Sequence, residues 1–535
     1  MKKLPSPQSS TFSSLINDIE KGRIKIPQFQ RDFVWDMKKS ANLIDSIVKG
    51  YPIGTFIFWR TRERLRTIRN IGGFDLPEPP KGDFVNFVLD GQQRLTSLFA
   101  SLKGLEVVRG NGKVDDFSKM YIDLKASEDE QIILTDIHGR RSKSYISIND
   151  LLYGDYSLLG SYSKKAQEFL SIYRKRIESY SFSIISVEEA PLDIATEIFT
   201  RINVGGKSLT LFEIMVAKTY DNERNFDLAI KFDELIERLR PVDYDTISDA
   251  IVLQTISLIL EGDCTRKQIL KLKKAKFIET WNDAIDAIEK AVEYFKNYYR
   301  IPVSQLLPYN ALIVPFAYFF YHYGKNKPTD GKEKYLTDYF WRCALSRRFS
   351  SGAEAKLAQD IKKMDLILTN QLPKYDWSVD TSPKFIKENG TFSSQSSYTK
   401  AILCIYAYRE PKSFIDDSKV NINNNWLKQS NSKNYHHFFP KAYLRKKKYD
   451  DDDANHIANI TIVDDYLNKR EIAAKAPGQY MKRFMRQNPE IQKTMRTHLI
   501  TNIEKFGILE NDYETFIDER VKVISRELQK RIIKQ

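Results

Sequence analysis

Histidine is scarce in this chain, with six in 535 residues. Cysteine is scarcer: Cys264, Cys343 and Cys404 are the three, and none lies in a CxxC pair. That excludes a zinc ribbon or a disulfide framework and suits a reducing compartment. Long apolar runs are missing as well. The longest, ALIVPFAYFFY (Ala311–Tyr321), contains Pro315 and falls short of the ~20 residues a membrane span needs. The opening MKKLPSPQSSTFSS has lysines but no apolar segment behind them, which excludes a signal peptide. A complete P-loop is also absent. Gly206-Lys207-Ser208 imitates its end, but Arg201 stands where the pattern requires a glycine. No internal repeat is visible. These absences lead us to expect a soluble, cytoplasmic protein with no membrane partner.

What is present in excess is positive charge. The formal net charge is +14 with a pI near 9.2. Half of that excess lies in the last quarter of the chain, where residues 401–535 hold 25 Lys+Arg against 18 Asp+Glu. Such a balance points to a polyanionic partner. The length calls for several domains.

Three patterns divide the chain. Up to about residue 220, short β-rich runs alternate with polar or helical stretches: TFIFW (Thr55–Trp59), VNFVL (Val85–Leu89) and SFSIISV (Ser181–Val187). Residues from about 105 to 165 read as an insertion with strands of its own. From 221 to 400 the period turns helical, as in Phe277, Trp281, Ile285, Ile288, Val292 and Phe295, and again in Thr246–Leu260. The polar stretch Lys387–Lys400 reads as a loop near a boundary, and a third section runs from 401 to 535. The expected class is a multidomain α+β protein.

Three motifs stand out in the first section. IPQFQRDFVWD (Ile26–Asp36) sets Gln30 and Arg31 among aromatic residues. In VLDGQQRLTSLF (Val88–Phe99) a strand should end at Asp90, turn at Gly91 and continue as a helix from Gln92. Unpaired N–H groups and the positive end of the dipole make such a helix start suited to phosphate, and Arg94 one turn in could add a two-pronged contact. The plainer reading is that Asp90 merely caps the helix. IFTRINVGGKSLT (Ile198–Thr210) holds Arg201, Asn203 and a glycine pair that reads as a turn into a helix at Leu211.

The last section pairs two of the six histidines in NYHHFFPKAYL (Asn434–Leu444). Neighbours on an extended segment face opposite ways. YDDDDAN (Tyr449–Asn455) follows, then His456, Asn459 before the β-like ITIV, and Asn468 nine residues on. A neutral imidazole suits base chemistry near pH 7. The plainer reading is a buried strand with one structural histidine. His456, beside the acid run, reads as a surface or loop residue. Lys441, Arg445, Lys446, Lys447, Lys448, Lys482, Arg483 and Arg486 give the neighbourhood the cations that phosphate contacts require.

Taken in order over about 185 residues, IPQFQRDFVW, LDGQQRLTSL and FTRINVGGKSLT resemble the N-terminal domain of the GmrSD restriction family, itself similar to the ParB/sulfiredoxin fold. The resemblance implies a nucleotide (NTP) pocket lined by Gln30, Arg31, Asp90, Gly91, Gln92, Gln93 and Arg94, with Arg201 and Asn203 as further candidates. Residues from about Asn431 to Met485 resemble the ββα-metal (HNH-like) nuclease fold that closes chains of this family. That resemblance implies His437 as general base, Asn459 as the asparagine holding the site together, and His436 and Asn468 as ligands of a divalent metal, Mg²⁺ or Mn²⁺. Many HNH nucleases carry an acidic residue where His436 stands, which leaves the metal open; one of Asp450–Asp453 could add an oxygen ligand. The expected domains are then 1–220 for nucleotide binding and sensing, 221–400 helical, and 401–535 nuclease. The expected function is a nucleotide-regulated DNA endonuclease of a modification-dependent restriction or anti-phage system, acting on modified or unmodified DNA. The alternatives are a nucleotide-switched DNA-binding or regulatory protein without nuclease activity, or an NTPase whose last domain only grips DNA. The oligomeric state stays open.

Overall fold

The computed structural model describes residues 5–27, 33–65, 71, 76–80, 82–108, 113–127, 129–202, 210–221, 223–325, 327–329, 331–423, 435–463 and 467–534. Side chains at 193 and 468–470 are not described. Gln30, Arg31 and Asn203 lie outside the described residues. The chain forms two compact units, Met1–Leu228 and Ala229–Gln535. Among the described residues no helix is long and apolar enough to cross a membrane, and all three cysteines are buried free thiols.

The first unit is mixed α/β. Its main sheet has strands β1 (Ser6–Thr11), β2 (Ile24–Lys25), β3 (Phe56–Thr61), β4 (Val85–Asp90) and β5 (Ser181–Glu188), in the order β1-β5-β3-β4-β2. β5 runs parallel to β3 and antiparallel to β1, and β4 is antiparallel to β3. The three β-rich runs of the sequence are β3, β4 and β5. They are strands for the expected reason: Phe56, Phe58, Trp59, Val85, Phe87, Val88, Phe182 and Ile184 fill the core. Between β4 and β5 lie a hairpin (Glu106–Val108 with Val114–Asp116) and a small three-stranded sheet, the strands expected of the insertion. Helix α1 (Gln92–Lys103) leaves the end of β4, and helix α2 (Leu192–Ile202) packs against β4.

The second unit is mostly helical. Lys274–Asn297 carries the apolar stripe read from the sequence, with Phe277, Trp281, Ile285, Ile288, Val292 and Phe295 all buried. The boundary expected near 400 does not divide the fold. Helix Ser397–Tyr408 spans it and packs on Lys332–Leu345 to one side and on C-terminal elements to the other. The C-terminal part of the unit holds the strand pair β6 (Tyr435–His437) and β7 (Ile460–Ile462), a π-helical turn (Leu467–Ile472), a helix (Pro477–Gln487) and the final helix α3 (Tyr513–Gln529); Ser397–Tyr408 packs on β7 and α3.

Candidate functional site

In the first unit, two motifs meet at the start of α1. Gly91 holds φ at 93°, a left-handed conformation that suits glycine, and offers no side chain to cap the helix. A Cβ there would sit 2.5 Å from the Phe56 ring. Gly54, at φ 86°, is constrained in the same way, since its Cβ would fall 2.4 Å from Arg94 Nη1. Both glycines make room for one guanidinium. Arg94 donates from Nη1 to the Ile53 carbonyl (2.7 Å) and from Nη2 to the Thr55 carbonyl (3.0 Å) and to Asp90 Oδ2 (3.0 Å). Its guanidinium also lies 5.3 Å from the Phe56 ring centre.

Asp90 therefore holds Arg94 rather than capping the helix. Gln92 and Gln93 are buried. Gln93 Oε1 accepts from the backbone N–H groups of Val34 (2.8 Å) and Trp35 (3.2 Å), tying the end of the first motif to the second. Arg201, at the end of α2, is exposed and pairs with Glu197 one turn back (2.6 Å). Gly54 and Phe56 belong to this construction and were not singled out in the sequence. The signal was there in PIGTF, a glycine one residue before a β-rich run.

In the second unit, β6 and β7 pair antiparallel, His436 opposite Thr461 and His437 opposite Ile460. Asn459 is fully buried. Its Oδ1 accepts from Phe439 N–H (2.8 Å), and its Nδ2 donates to the carbonyls of Phe439 (3.0 Å) and Ala454 (2.9 Å). Its own carbonyl accepts from Phe438 N–H (2.7 Å). One side chain thus joins the exit of β6 to the helix Asp451–Ala454 ahead of β7.

His437 is partly buried, and burial pulls its imidazole down to about 4, opposed by its Asn455 partner and aided by Lys441. It is neutral at physiological pH. His436 is 2 % exposed and its Nδ1 lies 2.9 Å from Thr461 Oγ1. The Thr461 hydroxyl donates to the His436 carbonyl (3.3 Å), so it accepts from Nδ1–H. Nε2 is then a buried lone pair with no hydrogen-bond partner among the described residues. The rings of Phe414, Phe438 and Tyr480 surround it, with centroids 6.2–6.3 Å away. Burial above all, then His437, His498 and Arg520, hold its pKa well below the usual value.

These surroundings differ from those expected of a metal ligand. A hard cation needs oxygen ligands, whereas His436 meets aromatic edges and feels a neighbouring guanidinium. Among the described residues, no three His, Cys, Asp or Glu side chains come together. The described groups around His436 do not fit Mg²⁺. The Asn468 side chain lies outside what the structure describes; its backbone is in the π-helical turn.

His456 corrects a sequence expectation. It is a buried clasp, not a surface residue. Its Nδ1 accepts from Ala458 N–H (3.0 Å), so its Nε2–H faces the carbonyls of Ile386 and Lys387 (3.2 Å each). Arg520, from α3, is fully buried. It donates to the carbonyls of Ala458 (2.6 Å) and His498 (3.1 Å) and stacks near Tyr406. Among the described residues it makes no ion pair. Of the expected DNA contacts, Arg445 already holds Asp451 with two bonds of 2.7 Å, and Arg483 pairs with Glu471. Lys446, Lys447, Lys448, Lys482 and Arg486 are exposed, and Lys441 is half-buried.

Residues 12–220 match the family described as GmrSD restriction endonuclease, N-terminal domain. The stretch includes all three N-terminal motifs, so the first unit carries a domain of the GmrSD N-terminal type. A relative, the uncharacterized protein MJ0686 of Methanocaldococcus jannaschii, is 24% identical over 97% of this chain and 96% of its own length.

Proposed function

We propose that the chain is a nucleotide-regulated DNA endonuclease of a modification-dependent restriction or anti-phage defence system. In this reading the first unit binds an NTP near the Asp90-Gly91 turn, and the His437 hairpin cuts DNA. The observation that carries it is the neutral His437 imidazole, at the end of β6 in a strand pair locked by Asn459. His437 Nδ1 takes a proton from water as the water oxygen attacks phosphorus, the phosphorus–oxygen bond to the leaving nucleotide breaks, and the leaving oxygen takes a proton from solvent. The exposed Lys446–Lys448 run and Lys482 would meet backbone phosphates. The nucleotide or the modification would favour one arrangement of the protein in which the hairpin acts.

One observation favours a second reading. The enclosed setting of His436 suits a retained fold in a nucleotide-switched DNA-binding protein that does not cut. The assay that separates the two is cleavage of modified and unmodified phage DNA, with each NTP and with Mg²⁺, Mn²⁺ or neither. The nuclease reading expects cuts by the wild type and a loss of about a hundredfold or more in His437→Ala, in line with removal of a general base. Cleavage at the wild-type rate by His437→Ala would end the assignment.

A further inference from the structure

The His437 ring is held by Asn455, the last residue of YDDDDAN, to which the sequence reading gave no role. Asn455 follows the helix Asp451–Ala454, and its Oδ1 lies 3.1 Å from His437 Nε2. Its Nδ2 donates to the Phe392 carbonyl at 3.0 Å. A carbonyl only accepts, so the Phe392 contact fixes which way the amide faces. The oxygen must then face His437, and an oxygen can only receive a hydrogen from Nε2. His437 is therefore the Nε2–H tautomer, with its lone pair on Nδ1.

Asn455 is itself fixed in place. Its carbonyl accepts from Phe392 N–H (2.7 Å), and Ile457 N–H donates to the Gly390 carbonyl (2.6 Å). Thr391 pairs with His456 as an isolated antiparallel bridge. His456 Nε2–H closes the clasp on the carbonyls of Ile386 and Lys387. Gly390 is required for this approach, because a Cβ there would fall 2.0 Å from His456 Nε2 and 2.6 Å from the Ile386 carbonyl oxygen. The stretch from Ile386 to Phe392 thus forms a backing strip for the segment that carries Asn455.

We propose that Asn455 is a positioning residue for DNA cleavage. Backed by Phe392, it holds His437 in the tautomer and orientation that leave Nδ1 to take the proton from water. This rests on the reading of His437 as the base. A purely packing role for Asn455 would give no reason for one tautomer to be required, and that is where the two differ.

The test uses the full chain with ¹⁵N-labelled histidine. The His437 signals are assigned by their loss in His437→Ala. The wild type should show the Nε2–H pattern of ring ¹⁵N shifts. Asn455→Ala should move toward a mixture of tautomers and lower kcat by about tenfold to a hundredfold, as misorientation of a reacting group does, with KM for DNA unchanged. Asn455→Asp keeps an acceptor on Nε2 and should retain the tautomer and more of kcat than the alanine variant at pH 8. An Nδ1–H tautomer in the wild type overturns the inference without any variant, even if Asn455→Ala fails to fold. If the wild type cuts, His437→Ala does not, and Asn455→Ala keeps the wild-type kcat, His437 stands as base and this inference fails. If His437→Ala cuts like the wild type, the underlying reading fails and the inference goes with it.

Discussion

At the Asp90-Gly91 turn the construction is charged, and at the His437 hairpin it is neutral. Arg94 gathers two backbone carbonyls and a carboxylate around a pair of left-handed glycines. Around His437 the fixed points are amides, imidazoles and carbonyls: Asn459, Asn455 and His456. The charged group behind them, Arg520, is buried and, among the described residues, bonds carbonyls alone. Its positive field helps to hold His436, His456 and His498 neutral, adding to burial, which takes His498 down to about 4. The contrast teaches what each site has left to offer. Where the cation builds the turn, three of its N–H bonds already end on the protein, and a phosphate must rely more on the helix start. Where the scaffold is uncharged, the imidazole keeps a lone pair without taking up a proton.

The sharpest way to break the comparison is to remove the neutral scaffold. Asn459→Ala strands the Phe439 N–H and the carbonyls of Phe439 and Ala454 away from water. Each orphaned group costs about 1–3 kcal/mol, so a loss near 3 kcal/mol or more is expected in urea unfolding of the second unit. A midpoint within error of the wild type would mean that the hairpin does not depend on this side chain.

The charged scaffold answers to a finer test. Arg94→Ala should weaken NTP binding in calorimetry and also destabilise the first unit, by about 1.5–3 kcal/mol for charge-assisted bonds. Arg94→Lys separates the two roles. Lysine keeps the charge but not the planar fork that reaches Ile53, Thr55 and Asp90 together. If Arg94 acts mainly on phosphate, lysine should bind NTP nearly as arginine does with little loss of stability. If it builds the turn, as the geometry favours, lysine should lose stability almost as alanine does.

Much of this was legible in the sequence where a local pattern decides the structure. The run VNFVLDGQQRLTSLF places a strand, a left-handed glycine and a helix start, and the structure has them at Val85–Asp90, Gly91 and Gln92. Helical periods gave Asp249–Glu261 and Lys274–Asn297. The edge strand β1 was not legible, because SPQSST has neither apolar alternation nor β-branched residues apart from its last. It is a strand because β5 offers it a partner. His456 was misread for a related reason. Its acidic neighbours suggested solvent, but its ring is paired with carbonyls some 70 positions earlier, a contact no local pattern encodes. Gly390 and Asn455 were passed over in the same way: one lay in a stretch that read as a loop, the other at the end of an acid run.

The smallest expected effect concerns the surface that would meet DNA. Arg445 and Arg483 are already paired with Asp451 and Glu471, so they begin partly neutralised, whereas Lys446, Lys447 and Lys448 are exposed. Each lysine that contacts a phosphate releases about one counterion, and the slope of log K against log salt should fall by roughly 0.9 for each contact removed. The triple change to alanine should therefore weaken DNA binding and flatten that slope, while Arg445→Ala alone should leave it nearly unchanged. Fluorescence anisotropy over a range of salt concentrations reads both. An unchanged slope in the triple variant would move the DNA off this face of the second unit. A large change in Arg445→Ala would mean that DNA displaces Asp451 from its arginine, making that ion pair part of the DNA-binding surface.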